Sequence, residues 1–344
     1  MRTKLVQIFV LRRCIRKASE IYLHTSSYKY LQFHLQNNLL LTPVTLSHRL
    51  TSLTQILKMQ NAVHNKDQWS ISASSYAQGH QQLSNAPVET LFAQMDRVKP
   101  FSTATAILDV GCGPGVTLSR LIEKYGEQVP LDARLIALDF SAGMIEQVQK
   151  MQKEKQVQNP IWSRVEGKVG DAQVLDGIDD ASISHITGTM VYNLVEDGRR
   201  ALEAAYRVLR PEGVVGMTLG KSAEWMDMMA EAAHHVRRDS APTYQFPKGY
   251  GTLDGIKSEF EIVGFSAEFV ESMEISIDVS DPKPFVDTFI RGKNPGAMFF
   301  VGDYSEAELD AFVDFLLGLI GERCKGESKR LRGEAIVAVG KKLG

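Results

Sequence analysis

Across 344 residues the chain carries 39 Lys+Arg and 41 Asp+Glu, a formal net charge of −2, with 44% hydrophobic and 23% charged residues. That balance is globular rather than disordered, and no run approaches the roughly 18 apolar residues of a membrane-spanning helix. Three scattered cysteines, Cys14, Cys112 and Cys324, exclude a disulfide framework or a thiolate zinc site.

The charge is unevenly placed. Residues 1–58 hold nine Lys/Arg against one acid, Glu20, and Arg12, Arg13, Arg16 and Lys17 stand beside Val6, Ile8, Phe9, Val10 and Leu11 as in a basic amphipathic segment. This is the composition of a transit-like extension or of a dispensable, disordered leader. The net-acidic remainder is long enough for one large domain. Without clustered Lys/Arg it does not suit a nucleic-acid backbone. The expected location is cytoplasmic, or mitochondrial if the leader is a genuine transit peptide. No metal, nucleic-acid partner or stable membrane insertion is expected, and the chain is expected to act as a monomer or homodimer.

Residues 59–103 are predicted as an N-terminal lid and helical segment, with Trp69 and Tyr76 ahead of a helix over about Val88–Val98. From residue 104 strand-like and helix-like segments alternate, the pattern of a mainly parallel sheet covered on both faces. Ala106–Val110 reads as a strand, Val116–Tyr125 as a helix, Arg134–Asp139 as a strand and Ala142–Lys153 as a helix. Ile161–Val169 and Ile183–Thr187 are predicted as strands three and four. The amphipathic helix Gly198–Leu209, stopped by Pro211, precedes a fifth strand over Gly213–Leu219. Thereafter come the Met-rich helix Ala223–Val236, a short helix at Leu253–Val263 and a strand over Ser266–Val279. Helices at Pro284–Ile290 and Glu306–Ile320 lead to a last strand, Glu334–Lys341, which pairs with the preceding one at an edge of the sheet. Cap insertions are expected around 222–262 and 281–325.

The sharpest local signal is Leu108-Asp109-Val110-Gly111-Cys112-Gly113-Pro114-Gly115. Glycines directly after a strand allow a tight turn at positive φ and a close approach to a ligand, and the helix behind them presents free N–H groups. A dinucleotide fingerprint requires Gly-x-Gly-x-x-Gly. Here the third position is Val116, with Gly115 one residue early. A second signal is Asp139, an acid ending the second strand and placed to accept hydrogen bonds from a ribose diol. A third is Asp171, after the third strand.

Taken together, Asp109–Gly115, Asp139-Phe140-Ser141-Ala142-Gly143-Met144, Gly170-Asp171-Ala172 and Arg207-Val208-Leu209-Arg210-Pro211-Glu212-Gly213 resemble, in order and spacing, the motifs of class I S-adenosylmethionine-dependent methyltransferases. The resemblance implies an α/β, Rossmann-like seven-stranded sheet in the order 3-2-1-4-5-7-6, strand 7 antiparallel, with helices on both faces and a helical cap. It implies S-adenosyl-L-methionine as cofactor. Asp109 and the loop of Gly111, Cys112, Gly113 and Gly115 would surround its amino-acid end, and Asp139 would hold the ribose. Phe140 and Met144 would flank the adenine, Ser141 belongs to the same motif, and Asp171 and Ala172 would bind the adenine edge. Thr187 would face the methionine portion, and Tyr76 would contact the cofactor from the lid. One departure is Arg-Pro-Glu-Gly where Lys-Pro-Gly-Gly is commoner. The exit of strand four also lacks the Asn/Asp-Pro-Pro-aromatic motif of amino-methylating enzymes, which lowers macromolecular substrates.

Methyl transfer from a sulfonium demands alignment and desolvation of the nucleophile more than acid–base help. Candidate bases are His80, His185, His234 and His235, with His234 and His235 on the Met-rich helix ranked first. The apolar cap residues Trp225, Met226, Met228, Met229, Phe246, Tyr250, Met298, Phe299 and Phe300 suit a largely apolar small molecule. The expected activity is methyl transfer to an O, N or C atom of such a molecule, in the manner of secondary metabolism. The alternatives are an NAD(P)-binding Rossmann oxidoreductase and a catalytically silent methyltransferase-like partner protein. Arsenic methylation needs several thiols, and only Cys112 lies near the site.

Overall fold

Residues 64–79, 85–238, 249–326 and 329–344 are described by the computed structural model, all within one unit, Ala62–Gly344. The basic leader, the start of the 59–103 segment, His80 and Phe246 lie outside them. Two helices, α1 (Lys66–Gly79) and α2 (Asn85–Val98), precede β1 (Ala106–Val110) and α3 (Val116–Tyr125). Next come β2 (Arg134–Asp139), α4 (Ala142–Lys155), β3 (Val165–Val169), β4 (Ile183–Thr189) and α5 (Gly198–Val208). The chain ends with β5 (Leu209–Ala223), α6 (Glu224–Val236), α7 (Leu253–Val263), β6 (Phe265–Asp278), α8 (Lys283–Val286), α9 (Pro295–Val301), α10 (Glu306–Arg323) and β7 (Arg330–Lys342).

Seven strands form one sheet in the order β3-β2-β1-β4-β5-β7-β6, as the motifs implied. β1 to β5 pair in parallel, and β7 runs antiparallel between β5 and β6. The central strands read as continuous apolar runs because both faces are covered; every residue of β1 is buried. Alternate residues feed two cores. Leu108, Ile136 and Ile186 face α5 and α7, where Leu202, Val208, Ile256 and Phe260 close over them. Ile107, Leu135 and Val337 face α2, α3 and α4, meeting Phe92, Met95, Leu118 and Ile145.

Several segments differ from their predicted form. Ile161–Arg164, expected as the start of β3, belongs to a 3-10 turn over Pro160–Arg164, with Pro160 at its first position and Asn159 capping it through Ile161 N–H at 3.2 Å. β5 extends four residues on each side of the predicted strand: Leu209 already pairs with Ile183 of β4 at its start, and β7 stays paired with it up to Ala223 at its end. The segment 222–262, read as one cap insertion, divides: α6 packs along α10, whereas α7 packs under the sheet. Arg237, at the end of α6, fastens it to α10 by a two-pronged bond to Glu308 at 2.7 and 2.9 Å.

Candidate functional site

The carboxyl ends of β2, β1 and β4 are adjacent. Strand order reverses there, leaving the crevice in which open α/β sheets bind ligands. The β register sets Asp109 opposite Thr187, and the Thr187 hydroxyl donates to Asp109 Oδ1 at 2.7 Å. Asp109 is fully buried, and its second oxygen, Oδ2, has no partner among the described residues. Burial pushes its carboxyl up to about 7, the Thr187 bond offsets part of the rise, Asp139 adds repulsion, and the Leu118 backbone N–H at the start of α3, beyond hydrogen-bond distance of Oδ2, draws it slightly back down. An unpaired buried acceptor of this kind costs about 1–3 kcal/mol. It is a cost that a bound cation would remove.

The glycine loop closes over this position. Gly111, Gly113 and Gly115 all have positive φ, at 59°, 53° and 91°. Their surroundings differ. A Cβ on Gly111 would lie 2.4 Å from Val191 Cγ2, so that position is shut by packing; one on Gly113 would meet nothing within 4 Å, so the loop borders open space there. Cys112 anchors the loop, its N–H bonded to Leu138 O at 3.0 Å and its thiol buried and raised by that burial.

Asp139 organises the neighbouring turn. Its Oδ2 accepts the Gly113 N–H and its Oδ1 the Ser141 N–H, both at 2.9 Å. Burial raises its carboxyl, and these two donors restrain the rise. Each oxygen keeps a lone pair free for a second donor, which is what a diol requires. Ser141 caps α4 through the Met144 N–H at 3.2 Å. Its hydroxyl also meets Ser70 Oγ of α1 at 2.9 Å, and Ser70 donates onward to Lys66 O at 3.0 Å. Helix α1 therefore sits directly on the β2–α4 turn. Tyr76, half-buried on the same helix and edge-on to Trp69, lies close enough to Asp139 that the carboxylate, after burial, raises its hydroxyl.

The other predicted residues are more scattered in character. Met144 is buried in neither sheet-face core, and Phe140 is half-buried beside it in the turn. Asp171 is exposed, its Oδ1 taken by the Gln173 N–H at 2.8 Å, while Ala172 belongs to the α5-side core. His185 is fully buried: its Nε2 donates to Lys99 O at 3.0 Å, and its Nδ1 lies 2.9 Å from Ser184 Oγ, whose hydroxyl donates to Ala106 O at 2.8 Å. Burial lowers this imidazole to about 4, and it packs on Phe101 as a neutral structural residue. His234 and His235 are exposed in the last turn of α6, and His235 stacks on Phe315 of α10 with centroids 3.8 Å apart. Helix α10 thus holds His235.

Several residues at the site gave no sequence signal. Ser70 lies in a Ser-rich segment without amphipathic spacing, so nothing in the sequence singles it out within the predicted lid. Thr117 and Thr189 join α3 to the end of β4 by a hydroxyl pair 2.7 Å apart. Just beyond, Met190 takes a left-handed φ of 56°, and Tyr192 and Asn193 bury polar side chains that have no partner among the described residues.

The sheet order and its crevice define the class I methyltransferase architecture, and comparisons with known proteins place the chain in it. Residues 107–213 match the methyltransferase domain family. Methyltransferase ucsB of Acremonium sp is 32% identical over 276 residues, covering 80% of this chain and 94% of that protein. Methyltransferase tpcH of Aspergillus fumigatus is 27% identical over 209 residues, covering 59% and 71%. Among solved structures, a Bacillus YcgJ protein aligns with 74% of this chain and 99% of its own at 17% identity and a TM-score of 0.48. The chain belongs to the class I S-adenosylmethionine-dependent methyltransferase family. No helix among the described residues is long and apolar enough to cross a membrane.

Proposed function

We propose that the protein transfers the sulfonium methyl of S-adenosyl-L-methionine to an O, N or C atom of a largely apolar small molecule, in the manner of secondary metabolism. The observation that carries the cofactor assignment is Asp109 Oδ2, a buried carboxylate oxygen without a partner beneath a glycine loop that borders open space. Such a group calls for a ligand cation, and S-adenosylmethionine offers an ammonium. A dinucleotide would bring a diphosphate to the same place, where Asp109 and Asp139 would repel it. The Asp139 oxygens, each with one backbone donor already, suit the ribose hydroxyls. Phe140, Met144, Asp171 and Ala172 would line the adenine end, and Tyr76 would cover it from α1.

When bound, the cofactor supplies an activated methyl group whose leaving sulfide needs no acid. The protein's share is to bind, align and dry the acceptor. His234 and His235 remain the histidines assigned to the cap side; a base there is optional chemistry, depending on the acceptor's own acidity. Calorimetric titration with S-adenosylhomocysteine and with NAD tests the assignment. Binding of the first alone is expected, weakened at least about tenfold in Asp139→Ala. Unchanged affinity in that variant would overturn the site. The 59–103 segment as lid and the residues beyond β5 as acceptor cap belong to the same proposal, and a screen with methyl-labelled cofactor against candidate metabolites identifies the product.

A further inference from the structure

Buried polar groups in folded proteins almost always find partners. Among the described residues the Tyr192 hydroxyl, both polar atoms of the Asn193 amide and the Tyr250 hydroxyl have none, although each atom is sealed from solvent. They are brought together by local structure. The Tyr192 ring packs on Gly188, where a Cβ would lie 2.5 Å from its Cε2. The Tyr250 ring covers Gly198, where a Cβ would meet both Tyr250 Cε2 at 2.7 Å and Tyr192 O at 2.5 Å. The intervening Val191 rests on Gly111, so the group adjoins the glycine loop. The turn that delivers it begins at Met190, a non-glycine residue at φ 56° pinned by its N–H to Thr218 O at 2.8 Å. Strain of this kind is retained where surrounding structure and function require the geometry.

We infer that Tyr192, Asn193 and Tyr250 form the polar contact set for the methyl acceptor, and that the acceptor is an apolar molecule recognised through a neutral hydroxyl. The inference rests on the methyltransferase reading above and adds the chemical class of its substrate. An amide and two phenols offer both donors and acceptors with no charge, which matches a hydroxyl group. The charged groups around them are mostly acidic. Asp109 lies within electrostatic reach of Tyr192, while Glu259 and Asp197 reach Tyr250, with Arg199 the one opposing cation among the described residues and itself paired to Glu259 at 2.7 Å. A carboxylate or phosphate would be repelled there. Both phenols also stay protonated, because burial raises their hydroxyls, so they orient the acceptor rather than deprotonate it.

The test uses the whole protein saturated with S-adenosylhomocysteine and two matched pairs of probes, 2-naphthol against 2-naphthoate and 1-octanol against octanoate, read by thermal unfolding. At least one neutral member is expected to raise the unfolding temperature, and neither carboxylate is. Tyr192→Phe and Asn193→Leu are expected to lose that response while keeping the S-adenosylhomocysteine response. Without ligands both variants should be as stable as the parent or more so, because they remove groups that had no partner. If the carboxylates stabilise as well as the alcohols, if no neutral probe stabilises, or if the variants keep the response, the assignment falls. It falls equally if both variants are destabilised without ligand, since the polar atoms would then serve the fold itself. A parent protein that does not respond to S-adenosylhomocysteine would sink the cofactor reading, and this one with it.

Discussion

Glu212 shows how a single departure from a family pattern acquires a physical meaning. It stands in Arg-Pro-Glu-Gly, where glycine is commoner, and the structure gives it φ 62°. The left-handed region costs a non-glycine residue about 1–2 kcal/mol. The exposed side chain pairs with Lys341 Nζ at 2.5 Å. At an ordinary position alanine is more stable than glycine by about 0.5–1 kcal/mol. Here the order should reverse, since both substitutions lose the ion pair and only glycine relieves the backbone. Urea unfolding of Glu212→Gly and Glu212→Ala is expected to favour glycine by roughly 1 kcal/mol. An alanine variant as stable as the glycine one would show that the turn at 212 adopts another conformation.

Helix α1 lies inside the segment predicted as a helical lid, but the sequence does not mark its bounds. Its segment, Lys66–Gly79, is rich in serine and has no apolar stripe, so neither periodicity nor propensity marks it. What holds it is tertiary. Ser70 bonds the α4 turn, Ser75 donates to Gly292 O at 2.9 Å, and the Gln68 amide donates to Lys293 O at 3.0 Å. β1, α3 and β2 were legible to the residue because a both-faces-buried strand and a one-faced helix leave strong patterns in sequence. The 3-10 turn at Pro160–Arg164 was not, since its apolar Ile161 and Trp162 imitate a strand, with Trp162 buried in the core. At the site, residues whose role follows from a motif were legible. Tyr192 and Asn193, whose interest lies in the partners they lack, could be found only from geometry.

The seat of α1 is tight enough to test. A Cβ on Gly143 would lie 2.8 Å from Ser70 Cα, a backbone atom that cannot yield without moving the helix. Gly143→Ala is therefore expected to lift α1 from α4 and leave the sheet intact. Limited proteolysis or hydrogen exchange should show increased opening confined to 66–79, with S-adenosylhomocysteine affinity reduced about tenfold or more as Tyr76 leaves the neighbourhood of Asp139. Protection of α1 equal to the parent's would contradict the seat.

At the scale of the whole molecule, folding moves protons in opposite directions at two buried groups. His185 is held neutral with its imidazole lowered to about 4, so stability from this group is present above about 6.5 and is lost as pH falls toward 4. Asp109 is raised to about 7, so its contribution is favourable only below about 4 and is lost as pH rises through 7. Between those limits the two slopes oppose each other, and the parent's stability should vary little on their account. Asp109→Asn removes one slope while retaining an oxygen for the Thr187 hydroxyl. Its stability relative to the parent should climb by up to about 1.4 kcal/mol per pH unit between about 4 and 7 and then level off. The same carboxyl should govern ligand binding. If its free oxygen receives the cofactor's ammonium, the Asp109 proton must leave on binding, and affinity for S-adenosylhomocysteine falls by up to about tenfold per unit below pH 7. Titration calorimetry at pH 6 in buffers of different ionisation heat should then record close to one proton released per ligand, against none in Asp109→Asn, which binds more weakly but without that pH dependence. Parent affinity that stays level from pH 5 to 8 would show that the buried carboxylate answers to something other than a bound cation.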